Sequence, residues 1–192
     1  MTPVAASFNK NYTTMFYFTS DEHYDHFNII AYCKRPFHSV AEMQSVLIDR
    51  HNSIVKTEDI VIHAGDFCFQ EQTAKKIIPL LNGKHIFIKG SHDSWLHKKA
   101  VQIWEKKIEN ILIVVCHYSM RTWPKSHYNS WQLYGHSHGR LAPMGKQHDI
   151  GVDNNSFFPV SFEKLKMIME QQPDNPNFID KKLDSKEYDK NR

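Results

Sequence analysis

The chain is poor in the features that mark several common protein classes. Its longest apolar runs are short, the run over residues 111–116 among them. None approaches the ~20 residues a membrane helix needs. Residues 1–12 place Lys10 after only a few apolar residues and lack the pattern of a secretory signal, so a cytoplasmic protein is expected. Cys33, Cys68 and Cys116 are odd in number and widely spaced, which excludes a disulfide framework and fits a reducing compartment. No C-x-x-C pair is present, so a thiolate zinc knuckle is excluded too. The formal charge of +3 is weak, and no dense Lys/Arg stripe is visible; nucleic acid is therefore not a favoured partner.

What is present is a chain of 192 residues with 41% hydrophobic and 12% aromatic residues, enough for one domain with a sizeable core. No internal repeat or second domain is visible. One domain over residues 1–172 is expected, with 1–12 and a polar tail, 173–192, flexible. The chain also carries 13 histidines, more than a structural protein has need of and in keeping with a metal site.

Strands are expected over 15–19, 59–63, 85–89, 111–116 and 131–134, with a sixth near 149–152. A helix over 40–55 follows from Ser39-x-x-Glu42, a capping box, and from apolar residues at helical spacing. Further helices are expected over 73–81, kinked or ended by Pro79, and over about 94–107.

One arrangement recurs five times. An apolar strand stops and an Asp or His stands at its C-terminal end: Asp21 and His23, then Asp66, His92, His117, and finally His136 and His138. Sheet folds of this kind bind ligands beyond the carboxyl ends of their strands, where short loops converge. Each block alone has an ordinary explanation. Gly65-Asp66 is an acceptable turn, and a single histidine after a strand is more often a core or edge residue. Five such blocks in strand context make coincidence a poor account.

Asp21-x-His23, Gly65-Asp66, Gly90-Ser91-His92-Asp93, His117 and Gly135-His136-x-His138 together resemble the signature of the calcineurin-like metallophosphoesterases. A small bacterial and phage subfamily looks similar further, through His26-Phe27-Asn28-Ile29-Ile30, Arg35-Pro36-Phe37, His117-Tyr118 and Gly151-Val152-Asp153. The resemblance covers residues 15–162. It implies an α/β fold, a sandwich of two mixed β-sheets flanked by α-helices. It implies two divalent metal ions, with Mn the first candidate and Fe, Zn, Ni or Mg as alternatives. Asp21, His23 and His138 would hold one ion; His117 and His136, with position 91, the other; Asp66 would bridge them. His92 would be the general acid as a metal-bridging hydroxide attacks phosphorus in line. The expected substrate is a small phosphoester, a nucleotide among the candidates. A nuclease is an alternative.

The sequence departs from the family at Ser91, where the signature has Asn. A hydroxyl is shorter than an amide and binds metals weakly, so a catalytically weakened metal-binding scaffold is a further alternative. His26 and Arg121 are candidate substrate-binding residues, Arg121 as a bidentate phosphate clamp. Arg35 has a weaker case. Asp93, Asp149 and Asp153 read as structural, and Cys68 and Cys116 as buried inert thiols. Tyr24, Tyr118, Trp123 and Tyr128 could line a pocket for a base, although loop aromatics more often pack against their own domain.

Overall fold

The computed structural model describes residues 14–96 and 100–180. Two four-stranded mixed sheets pack face to face. The first holds β1 (Phe16–Thr19), β2 (Ile60–His63), β3 (Lys84–Phe87) and β8 (Val160–Ser161), in the order β3-β2-β1-β8. The second holds β4 (Ile103–Ile108), β5 (Ile111–Cys116), β6 (Trp131–Tyr134) and β7 (Gln147–Asp149), in sequence order. β1, β2 and β3 are parallel, as are β5, β6 and β7; β8 and β4 run antiparallel at opposite edges. This is the sandwich that the resemblance implies.

Period-two alternation sets the layers. Phe18 and Ile62 point between the sheets and meet Ile113, Val115 and Leu133, all without solvent exposure. Their neighbours Tyr17 and Val61 face the other way, where Val55 at the end of α2 covers them. α2 (Val40–Ile54) and α3 (Glu71–Ile77) pack Met43, Leu47, Ala74 and Ile77 with Phe67 and Tyr24 in a second apolar layer. The Ser39 side chain accepts the Glu42 amide proton, as a capping box requires. Pro79 ends α3 within a 3-10 turn, Ile78–Leu80. A short α1 (Phe27–Tyr32) and a C-terminal α4 (Phe162–Glu170) complete the fold.

The helix expected over 94–107 is a correction. Residues 97–99 lie outside the described residues, and Ile103–Ile108 is a strand in register with β5, Trp104 opposite Val115. Glu109 and Asn110 both have left-handed backbones, φ 45° and 70°, the geometry of a two-residue hairpin turn. Glu-Lys-Lys favours a helix locally, but the hairpin's cross-strand pairing overrides it. The expected strand near 149–152 forms two residues earlier.

The first residues of the polar segment after Pro173 lie against the fold. Asn175 is buried, donating from Nδ2 to the Ser126 and Ser130 carbonyls at 2.9 and 3.1 Å. The Ile179 amide donates to the His127 carbonyl. Residues 1–13 and 181–192 lie outside the described residues.

Candidate metal centre

Asp21 and His23 follow β1, Asp66 follows β2, Ser91 and His92 follow β3, His117 follows β5, and His136 and His138 follow β6. Because those strands are parallel within each sheet, their carboxyl ends open on one side of the sandwich. A bridge between Ser20 and Gly151 joins the two sheets there.

The backbone is strained where the site forms. Asp21, His23, Asp66, His136 and His138 all have positive φ, between 49° and 65°. An L-residue in this region costs on the order of 1 kcal/mol or more, and such strain gathers at functional sites. Gly90 and Gly135 allow the closing approach. A Cβ at Gly90 would strike the Asp66 carboxylate, and one at Gly135 would strike that of Asp21.

The result is two neighbouring groups, with a third, Cys33, His138 and Asp153, sharing His138 with the first. Donor atoms of Asp21, His23 and His138 lie within 4.8 Å of one another, and so do those of Asp66, His117 and His136. The Asp66 carboxylate stands between the groups: its Oδ2 is 3.7 Å from His23 Nε2 and 3.3 Å from His117 Nε2.

Three of the rings are oriented from behind. His117 Nδ1 donates to the Ala64 carbonyl at 2.9 Å, so its Nε2 faces Asp66. His138 Nδ1 donates to Asp153 Oδ2 at 2.7 Å. His23 pairs its Nδ1 with His26 Nδ1 at 3.2 Å. The Nε2 atoms of His23 and His117 are buried and have no hydrogen-bond partner. A buried nitrogen without a partner costs about 1–3 kcal/mol. A cation between these atoms would remove that cost, so the donor set fits a divalent metal ion.

Charge follows the same geometry. Burial pushes the Asp21 carboxyl up to about 7, against the pull of His138 and His117. Burial also works to raise Asp66, but the neighbouring His117 ring, 3.3 Å away, and the His92 amide outweigh it and hold that carboxyl well below the usual range. Burial works to lower His117 and His138, yet Asp66 and Asp153 respectively leave both raised. His23 drops to about 2, chiefly through burial. Asp21, His117 and His138, all raised, would give up protons to a bound cation, because metal ligands must be deprotonated.

The other expected site residues divide. The Ser91 hydroxyl donates to Asp66, 3.1 Å from Oδ2 and 3.3 Å from Oδ1. His92 stands beside the groups, its Nε2 3.9 Å from Asp66 Oδ2, its side chain 40% exposed, its backbone amide donating to Asp66 Oδ1 at 2.8 Å. His26 lies between His23 and Phe69. Arg121 is not brought in: it is exposed and has no hydrogen bond or ion pair to the site among the described residues.

The arginine that matters structurally is Arg35. Fully buried, it grips Asp153 through Nε and Nη2, both at 2.8 Å, and donates to the carbonyls of Asp21 at 2.6 Å and Glu22 at 2.9 Å. It thus ties the backbone of the first block to the carboxylate that orients His138. Asp153, read as structural, has this orienting role. The signal available in the sequence was the shared Arg35-Pro36-Phe37 and Gly151-Val152-Asp153 motifs. Asp93 is structural: buried, it accepts the amides of Asp66 at 2.7 Å, Phe67 at 2.9 Å and Gly90 at 2.9 Å, clamping two blocks together. Asp149 accepts Ser137 Oγ and the Gly139 and Gly151 amides. Cys68 and Cys116 are buried, and burial pushes the Cys68 thiol up to about 12.

Behind the site lies a second set of imidazoles. His85 Nε2 faces the Leu81 carbonyl at 3.4 Å, and its Nδ1 is 3.0 Å from His63 Nε2. His63 Nδ1 is 2.7 Å from Glu22 Oε1. A carbonyl only accepts, so neutral rings must pass each proton the same way, and Glu22 must be the donor. Burial agrees: it raises Glu22 to about 7 and lowers His63 to about 3. The short Glu22–His63 contact is a neutral pair rather than an ion pair.

No family model matches the chain. The uncharacterized protein MJ1445 of Methanocaldococcus jannaschii is 32% identical over 166 residues, 81% of this chain and 91% of that protein. The solved structure of AQ665 from Aquifex aeolicus, a protein of unknown function, superposes with a TM-score of 0.63 at 19% identity, covering 81% of this chain and all (100%) of the other. A predicted phosphoesterase from Streptococcus pneumoniae gives 0.43 at 18% identity over 72% of this chain and 71% of its own. The identity to MJ1445 spans most of both chains, and the two-sheet fold carries all five strand-end blocks: the protein belongs to the family of MJ1445.

Proposed function

We propose that the protein hydrolyses phosphoesters with two divalent metal ions, Mn being the first candidate. Asp21, His23 and His138 would hold one; His117 and His136 the other, with Ser91 as a weak contributor; Asp66 would serve both. The observation that carries this reading is the pair of buried, partnerless Nε2 atoms of His23 and His117 turned toward one carboxylate. Two such ions supply charge neutralisation for phosphate oxygens and a lowered pKa for the attacking water.

The remaining work falls to side chains. His92 is half-exposed at the mouth of the site and held through its backbone to Asp66, within reach of a bound ester. It would give its proton to the departing oxygen, a task suited to imidazole. Arg35 and Asp153 keep His138 aimed, and Asp93 keeps the Asp66 loop closed on the Gly90 turn. The substrate is a small phosphoester. Nucleic acid is disfavoured by the weak net charge of +3. The three free thiols support a cytoplasmic setting.

A second reading, a weakened metal-binding scaffold, draws on Ser91, whose neutral hydroxyl donates to Asp66 and is a weak ligand where the signature has Asn. One experiment separates the two. Purified protein is analysed for bound metal and assayed with Mn on p-nitrophenyl and bis(p-nitrophenyl) phosphate, beside His92→Ala and Ser91→Asn. Metal-dependent turnover that collapses in His92→Ala is expected, with a gain in Ser91→Asn. About two metals per chain without turnover in any variant would favour the scaffold.

A further inference from the structure

Aromatic rings stand at both ends of the metal centre. At one end Phe69 packs edge-on against His26, centroids 4.4 Å apart, and lies 4.6 Å from the ring of His92. Tyr32 approaches His26 from the far side at 6.3 Å and is 64% exposed. At the other end Tyr118 lies 4.8 Å from His136 and 4.8 Å from His117, and is 47% exposed. Of the four aromatics considered as pocket-lining from sequence, Tyr24 and Trp123 are buried in the fold; Tyr118 is the one in contact with site rings. Large rings left in water forgo the burial that stabilises a core aromatic. Open ring faces beside a phosphate-binding centre are well suited to stack a nucleobase.

We infer that the substrate is a nucleoside phosphoester and that the two ends hold different substituents. The inference rests on the phosphoesterase reading for the reaction, but not for recognition. His92 protonates the departing oxygen and leans on Phe69, so the departing nucleoside lies at the Phe69–Tyr32 end. Tyr118 leans on His136, across the centre from His92, and holds the substituent that stays on phosphorus in a diester. The balance is simple: a P–O bond forms from water, which loses a proton, and the P–O bond to the departing nucleoside breaks as its oxygen takes the His92 proton.

Two measurements on the full chain test this. The first is calorimetric binding of adenosine 5′-monophosphate against ribose 5-phosphate, which share the phosphate and differ by the base. Binding about tenfold tighter is expected for the nucleotide. The gap should close in Tyr32→Ser, an exposed position where folding is little disturbed, and persist in Tyr118→Ala. The second compares kcat/KM for p-nitrophenyl thymidine 5′-phosphate and methyl p-nitrophenyl phosphate, which share a leaving group. A preference of about tenfold for the thymidine ester is expected. Tyr118→Ala should remove that preference, chiefly by raising KM for the thymidine ester, and Tyr32→Ser should keep it. Equal binding of the two monophosphates overturns base recognition. Exchanged effects of the two variants overturn the assignment of ends. Absence of turnover with the binding gap intact defeats the phosphoesterase reading and leaves nucleoside recognition standing.

Discussion

Two sets of histidines in one molecule do opposite work. His23, His117 and His138 each use one ring nitrogen to fix orientation and turn the other toward shared carboxylates at the open end of the sheets. His63 and His85 place both nitrogens in hydrogen bonds inside the fold, and His51 donates Nε2 to the Asn82 carbonyl at 2.8 Å. For His117 and His138 the difference is supply of carboxylate; His23, though it faces Asp66, falls with burial to about 2. Asp21, Asp66 and Asp153 face the first set, whereas the second meets only Glu22, which burial keeps protonated near neutrality. So His117 and His138 are raised and ready to exchange a proton for a cation, while His51 and His85 fall to about 4 and His63 to about 3, chiefly through burial. A high histidine count is therefore only in part a metal signal; three of the 13 build the core beneath the site.

The contrast can be broken most severely at Asp66. Asp66→Ala removes the carboxylate shared by both groups. Metal per chain should fall sharply by elemental analysis, and turnover by at least about a thousandfold, roughly 4 kcal/mol. The core set should be untouched, so the far-ultraviolet circular dichroism spectrum should stay that of the parent. Loss of that spectrum would mean that Asp66 is chiefly structural.

His51→Gln sharpens the other side. Glutamine can still donate to the Asn82 carbonyl but cannot titrate. The folded value of His51, about 4, lies below the 6.5 of a free imidazole, so the unfolded chain takes up the proton first. Its contribution to stability is whole above pH 6.5 and is lost as pH falls toward 4. The variant should therefore gain on the parent across that window, with a ceiling of about 3 kcal/mol. Urea melts at pH 7.5 and 4.5 would measure it; parallel losses in both proteins would show that His51 titrates freely.

Asp153→Asn probes the support of the site. The variant keeps volume but weakens the grip on His138 Nδ1 and on Arg35. Metal affinity should fall about 10- to 100-fold. Arg35→Lys should act in the same direction, because an ammonium cannot hold a carboxylate and two carbonyls as the planar fork does. Unchanged affinity in both would reduce the chain from Arg35 to His138 to packing.

Much of this molecule is written locally in its sequence. β5 and β6 have the bounds read from apolar runs, and α2 is within a residue of its expected end, because alternation, helical spacing and a capping box act over a few residues. The five strand-end blocks were legible for the same reason, each being a strand followed at once by its Asp or His. β8 and α4 were not read, since two strand residues and a nine-residue helix carry little signal alone. β4 was misread because its pairing partner, not its own Glu-Lys-Lys, decides its conformation.

The sequence by itself determined the fold class, the order of the blocks and the kinds of donor atom available. Tertiary structure alone brought Arg35 to Asp153, 118 residues away along the chain. It also decided which histidines face the shared carboxylates and which face the core. Both outcomes depend on burial and on neighbours brought together from distant segments, and a residue's own few neighbours in sequence carry no record of them.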